Sequence, residues 1–111
     1  MNNQICLIGR LVSDPKIKET ENDRKVCNIT LAVQRSFKNE DGIYKTDFIS
    51  VTLWAGIVEQ VCKYCHKGDL VCVRGRLQTR TYEDKNKEYK RIIEVISDKV
   101  SCVQSKAKEE E

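Results

Sequence analysis

The sequence predicts an all-β fold with one helix, in which five strands are interrupted by a helix between the third and the fourth. Three observations lead to this fold class. Apolar and polar residues alternate with period two over most of the chain, as they do in half-buried strands. Apolar residues recur at helical spacing in only one segment, residues 56–66. One proline and five glycines leave no stretch typical of an interdomain linker.

The first three strands are separated by one long loop and one hairpin. A strand is predicted over residues 4–12, and a polar, charged loop follows over residues 16–25. The second strand alternates apolar and polar residues over residues 27–34, and the third covers residues 46–54. The pair Asp41-Gly42 lies between them and supplies the backbone freedom that a hairpin turn needs.

The helix and the last two strands complete the order. Gly68 is placed to end the helix, and the fourth strand is predicted over residues 70–82. The last strand covers residues 89–97, with a short continuation at residues 100–102. Gly75 suits a bulge or a corner of a curved sheet.

This order of elements is that of the OB-fold, a five-stranded Greek-key barrel. We expect the barrel to occupy residues 1–104 as one domain. A short, charged, disordered tail is expected at residues 105–111.

The third strand is predicted to hold two large aromatic rings on its solvent face. The core face carries Ile49, Val51 and Leu53. The other face carries Phe48, Ser50, Thr52 and Trp54. Exposed aromatic rings spaced along a strand form a surface on which nucleic-acid bases stack. The alternative is that both rings are buried under the helix or a partner chain.

The fourth strand is predicted to carry positive charge on one face. Its even positions hold arginines, an amide and a ring: Arg74, Arg76, Gln78, Arg80 and Tyr82. Its odd positions are apolar or small, and no acidic residue interrupts residues 70–82. Guanidinium groups bind phosphates and stack on bases, so this face is suited to follow a nucleic-acid backbone. The alternative is a solvated strand face without a ligand.

The hairpin between the second and third strands adds a weaker indication of the same kind. Phe37 and Tyr44 flank its tip, and three basic residues lie beside them: Arg35, Lys38 and Lys45. Interleaved aromatic and basic residues on a hairpin suit a flap over single-stranded nucleic acid.

Composition bounds the classes of partner. With 20 Lys and Arg against 17 Asp and Glu, the net charge of +3 permits a polyanionic partner without requiring one. No segment resembles a signal peptide or a membrane span, so we expect a cytoplasmic protein with no membrane partner. The six cysteines are expected to be mostly reduced core residues.

Residues 62–66, Cys-Lys-Tyr-Cys-His, match a short haem-attachment signature. We do not favour haem, because no export signal precedes it and Met1 is the only methionine. A redox pair would lie inside the helix, away from the N-terminus where thiolates are activated, and a zinc site lacks a fourth ligand. His66 is the only histidine, and no phosphate loop or nucleophile elbow is present. We expect no enzyme activity, no cofactor and no metal.

Four stretches occur in a specific order and spacing. They are Leu7-Ile-Gly-Arg-Leu11 with Asp14-Pro15, Asn28-Ile-Thr-Leu-Ala32, Thr46-Asp-Phe48 with Val51-Thr-Leu-Trp54, and Arg74-Gly-Arg-Leu-Gln-Thr-Arg-Thr-Tyr82. Together they resemble the bacterial-type single-stranded DNA-binding proteins over about residues 2–103. The resemblance implies sequence-independent binding and protection of single-stranded DNA in replication, recombination or repair, at the nucleoid. It also implies a homotetramer of OB-folds.

The resemblance also implies which residues contact DNA. The stacking rings are Phe37, Phe48, Trp54 and Tyr82. The basic contacts are Arg10, Arg35, Arg76 and Arg80. The residues themselves leave two alternatives open, an OB-fold that binds single-stranded RNA and one that binds a protein through aromatic hot spots.

Two further expectations concern assembly and partners. Ile92 and Ile96 fall on one face of the last strand and Ile93 and Val95 on the other, so one set needs a cover, as in a tetramer. Typical cellular members of the family continue into a Gly- and Pro-rich tail with an acidic Pro-Phe tip, whereas this sequence ends in three glutamates. We therefore expect no recruitment of replication and repair partners through such a tip.

Overall fold

The computed structural model describes residues 1–105, and in that part of the chain six strands and one helix form around a single sheet. The elements are β1 (Ile5–Leu11), β2 (Lys18–Glu19), β3 (Lys25–Gln34), β4 (Thr46–Trp54), α1 (Gly56–Tyr64), β5 (Leu70–Glu83) and β6 (Tyr89–Gln104). The expected tail, apart from residue 105, lies outside the described residues.

The sheet closes on itself as a barrel of five strands. Its strand order is β1-β5-β6-β4-β3-β2, and an additional pairing of β1 with β3 joins the two sides. That pairing is antiparallel, at Arg10–Ala32 and Leu11–Leu31, while β4 and β6 pair in parallel at Val51–Val95. With α1 between β4 and β5, this arrangement confirms the predicted OB-fold. The two-residue β2 lies outside the ring, paired with β3.

The core lies inside the barrel, and α1 packs against it. Alternate residues of β3 and β4 point inward, and the least exposed of them are Cys27, Ile29, Leu31, Val51 and Leu53. Val58 and Val61 of α1 are buried in the same cluster. The helix ends at Tyr64, two residues before the predicted end, because Cys65 is extended, although its N–H still donates to the Val61 carbonyl at 2.9 Å.

Gly75 of β5 lies directly against the backbone of β6. A Cβ built on it would lie 2.0 Å from the Ile96 carbonyl oxygen, so no larger residue fits without moving β6. The register shifts here, since Arg74 pairs with Lys99 and Gly75 with Ser97. The extra residue is therefore Asp98 of β6, and β5 keeps its alternation. The bulge that Gly75 predicted exists, but it belongs to the partner strand.

The ends of β5 and β6 extend beyond the barrel as a two-stranded hairpin arm. From the Gln78–Glu94 pair to the Glu83–Tyr89 pair, the two strands pair only with each other. Leu77 is exposed and Ile93 is 71% exposed, because solvent reaches both faces of the arm. Beyond Gly75, the odd positions of β5, which are apolar or small, are exposed like the even ones. β6 also continues to Gln104, further than predicted.

Candidate nucleic-acid interface

The outward side chains of β3 and β4, from the Gln34–Thr46 pair to the Val26–Trp54 pair, form one surface that we call the platform. Phe48 is 67% exposed and Trp54 is 39% exposed on it. The opposite faces of the same strands are buried, so the alternation predicted for β4 is confirmed. Neither ring is buried under α1 or another part of residues 1–105.

The platform between the two rings is polar. Thr30 lies opposite Ser50, and Asn28 lies opposite Thr52. The Thr52 hydroxyl donates to Asn28 Oδ1 at 3.0 Å, which leaves the Asn28 amide N–H groups as donors. Two stacking surfaces are therefore separated by hydroxyl and amide groups, which are suited to contact bases without selecting one of them. The sequence indicated the hydroxyl groups of β4. Their neighbours Thr30 and Asn28 on β3 follow only from the register between the two strands.

Arg10 and Lys18 flank the platform on the side of β3 away from β4. Arg10 pairs with Ala32, which pairs with Phe48, so this arginine shares a cross-strand row with the first ring. Its Nη1 donates to the Gly68 carbonyl at 2.9 Å. Lys18 of β2 lies in the row of Val26 and Trp54. Lys18 was missed by sequence reasoning, because a two-residue strand leaves no periodic signal within a charged loop.

A recess of about 520 Å³ opens beside Trp54 at the start of α1, and Arg24, Lys25 and Glu59 line it. An ion pair between Lys25 and Glu59 crosses it. Ala55, which follows Trp54, has φ 56° and ψ −129°, a conformation that L residues rarely adopt. This residue forms the corner at which β4 ends and α1 begins.

The loop between β3 and β4 holds Phe37 and Tyr44 in the solvent. Phe37 is 65% exposed, and Lys38 Nζ lies 5.6 Å from the centre of the Tyr44 ring. Arg35 is turned to the face opposite Phe48, where it binds Asp47 in a bidentate ion pair of 2.9 and 3.0 Å. The hydrogen bond from Arg35 lowers the pKa of Asp47, so the carboxylate stays charged at neutral pH.

The outward face of β5 carries the predicted arginines and Tyr82, but two of these cations are already paired. Arg76 binds Asp98 at 3.1 Å, and Arg80 binds Glu94 at 2.5 Å. Both acids come from β6. These two arginines of β5 are therefore paired, although β5 itself has no acidic residue between Leu70 and Tyr82. Arg74 has no carboxylate partner among residues 1–105.

The cysteines form no reactive site of the kind that residues 62–66 suggested. All six thiols are free, with Cys27 and Cys65 buried and Cys6 and Cys102 exposed, so fewer belong to the core than expected. Burial raises the pKa of Cys62 and of Cys65 to about 11, which keeps both thiols protonated at neutral pH. Within the described chain, no group of His, Cys, Asp and Glu is arranged to hold a metal ion. None of the helices described is long and apolar enough to span a membrane.

Relatives named as single-stranded DNA-binding proteins match nearly the whole chain. Single-stranded DNA-binding protein B of Bacillus subtilis is 42% identical over 109 residues, covering 98% of this chain and 96% of the relative. Single-stranded DNA-binding protein 1 of Clostridium acetobutylicum is 45% identical over 107 residues, 94% of this chain and 96% of the relative. A longer relative, from Lactiplantibacillus plantarum, is 37% identical over 99% of this chain and 55% of its own length.

The family comparison agrees with the fold and with these relatives. The model of the single-strand binding protein family matches residues 2–103, a range that includes the whole barrel, the platform and the β5–β6 arm. The chain therefore belongs to the single-strand binding protein family.

Proposed function

We propose that this chain binds single-stranded DNA without sequence preference, with bases stacked across the platform. The observation that carries the proposal is the exposure of Phe48 and Trp54 on one face of a strand whose other face is the barrel core. Aromatic rings exposed on one strand face and separated by polar groups are the arrangement on which nucleic-acid bases stack. Each base that stacks on such a ring contributes about 1–3 kcal/mol of affinity, whichever base it is.

The proposed contacts are those that the sequence indicated. The rings are Phe37, Phe48, Trp54 and Tyr82. The cations are Arg10, Arg35, Arg76 and Arg80. Their exposure on three strands and on the loop between β3 and β4 supports a path longer than the platform itself. All four arginines must exchange a carboxylate or carbonyl partner for a phosphate, since each holds such a partner in the free protein.

The role that follows is that of a binding protein, which coats and protects exposed single strands during replication, recombination or repair in the cytoplasm, at the nucleoid. Relatives named as single-stranded DNA-binding proteins support this role. Assembly into a homotetramer is part of the proposal. It is supported by exposed aliphatic side chains that a single barrel does not cover, among them Ile8 and Ile93.

The fluorescence of Trp54 tests the proposal, because it is the only tryptophan in the chain. If the indole stacks on bases, oligo-dT should quench its emission strongly at saturation. Duplex DNA of the same length should quench it far less, because its bases already stack on one another. Trp54→Ala should weaken oligo-dT binding by about 1–3 kcal/mol, and Trp54→Phe should retain most of the affinity.

Thermal melts of the same variants provide the control. A Trp54→Ala protein that melts early but binds oligo-dT as tightly as the natural chain would place the indole in a structural role. Emission that does not respond to oligo-dT would exclude stacking on Trp54 altogether.

A further inference from the structure

Two cross-strand rows of the platform have the same composition. The first is Arg10–Ala32–Phe48, from β1 through β3 to β4. The second is Lys18–Val26–Trp54, from β2 through β3 to β4. Each row therefore runs from a basic residue, across a small aliphatic one, to an aromatic ring.

The rows have the same geometry because residues directly opposite each other on neighbouring strands point to the same face. Two strand spacings place each basic residue about 10 Å from its ring. The two rows are six residues apart along β4, which corresponds to about 20 Å. Ala32 and Val26 are only half-buried, so the surface between cation and ring is open.

The charges around Lys18 favour an external anion. Its neighbour Glu19 lies opposite Lys25, so alternation turns this carboxylate to the other face of β2. Lys25 itself is paired with Glu59 on that side. In the part of the chain that the structure describes, Lys18 has no carboxylate within ion-pair distance, in contrast to Arg76 and Arg80 on β5.

We propose that the sugar-phosphate backbone of bound DNA runs along the β1–β2 side of the platform, with its bases directed across β3 onto the rings of β4. Lys18 binds a phosphate at the Trp54 end, as Arg10 does at the Phe48 end. This inference rests on the proposed binding of single-stranded DNA and adds to it the side of the barrel on which the backbone lies. It assigns Lys18, a residue that the sequence placed in a loop, as a contact.

The salt dependence of oligo-dT binding tests the assignment of Lys18. Lys18→Gln should weaken binding and reduce the slope of log affinity against log salt by about 0.7, the contribution of one phosphate contact on a single strand. Lys63→Gln is the matched control, because it removes the same charge from an exposed position on α1, which carries none of the four rings. It should leave the slope unchanged.

A pair of double-mutant cycles tests the side on which the backbone runs. The affinity lost through Lys18→Gln should shrink when Trp54 is already alanine, because both side chains hold the same nucleotides. The same loss should be unchanged when Phe48 is alanine, about 20 Å away. The affinity lost through Arg10→Gln should shrink when Phe48 is alanine and should be unchanged when Trp54 is alanine. Lys18 and Phe48 are well exposed, so these changes should not unfold the protein.

The possible results separate this inference from the proposed function. If the natural chain does not bind oligo-dT, the function itself is wrong. If it binds and Lys18→Gln behaves like Lys63→Gln, the function stands and the assignment of Lys18 falls. Lys18→Gln could also reduce the salt slope and couple equally to Trp54 and Phe48. That result would support the phosphate contact of Lys18 but overturn the proposed path of the backbone.

Discussion

Individual cations of this interface are held by carboxylates before any nucleic acid is bound. Arg35 binds Asp47, Arg76 binds Asp98 and Arg80 binds Glu94. Exposed ion pairs of this kind are weak because solvent screens them, so a phosphate can replace the carboxylate at small cost. The pairs lower the net charge that the arginines present to a polyanion, and they hold the guanidinium groups in fixed positions.

Asp47→Asn should therefore strengthen binding. The change releases Arg35 and should tighten oligo-dT binding at low salt, with a slope against log salt steeper by up to about 0.7. The pKa of Asp47 is lowered by the hydrogen bond from Arg35, so the pair is intact in the natural chain at any assay pH from 5 to 8, well above that pKa. Titrations of fluorescent oligo-dT at several salt concentrations would measure both effects.

Glu40→Gln is the control for that measurement. It raises the net charge by the same amount in the loop that precedes β4, but Glu40 has no ion-pair partner among residues 1–105. A smaller effect than that of Asp47→Asn is expected. Equal effects would mean that total charge matters and that the release of Arg35 does not.

Among the elements, the β5–β6 pair depends on Gly75, which has no room for a side chain. Gly75→Ala would place a methyl group 2.0 Å from the Ile96 carbonyl oxygen, at the register shift opposite Asp98. Because backbone atoms must move, we expect the free energy of unfolding to fall by at least about 1–3 kcal/mol. Chemical denaturation followed by far-ultraviolet circular dichroism would measure it.

Gly56→Ala makes the matched comparison. Gly56 begins α1, and a methyl group added to it would meet no atom within 4 Å, so alanine should be neutral or stabilising by up to about 1 kcal/mol. A Gly75→Ala protein as stable as the Gly56→Ala protein would show that β6 moves freely at this point.

The sequence predicted the elements best where a strand is long and half-buried. The bounds of β4, residues 46–54, match because its two faces differ sharply, with Val51 and Leu53 inward and Phe48 outward. β2 was missed because two residues carry no alternation. The two strands of the β5–β6 arm were predicted, but their projection beyond the barrel was not, because apolar residues such as Leu77 and Ile93 suggested a cover that the barrel does not provide.

For the candidate site, the exposure of the rings on β4 was predicted, whereas the ion pairs of its arginines were not. Phe48 and Trp54 followed from alternation along one strand. The acids that pair with Arg76 and Arg80 lie on β6, and the row that joins Lys18 to Trp54 runs through β3. These relations depend on the register between neighbouring strands. The alternation of residues within one strand does not reveal that register.

For the whole molecule, assembly is the next testable property. We expect sedimentation equilibrium to show a tetramer at micromolar concentration. Ile93→Asp should shift the equilibrium towards smaller species if the exposed face of the arm takes part, because a buried carboxylate would oppose association. Ile17→Asp, at an exposed isoleucine outside the arm, should have less effect. A natural chain that sediments as a monomer would contradict the tetramer.

Discrimination between single-stranded and duplex DNA tests the central claim most directly. The affinity of the natural chain should be measured for oligo-dT, for a mixed-sequence strand and for a duplex of equal length, each at several salt concentrations. We predict similar affinities for the two single strands, much weaker binding to the duplex, and a linear fall of log affinity with log salt. Equal affinity for the duplex, or no binding to either single strand at low salt, would contradict stacking of bases on the platform.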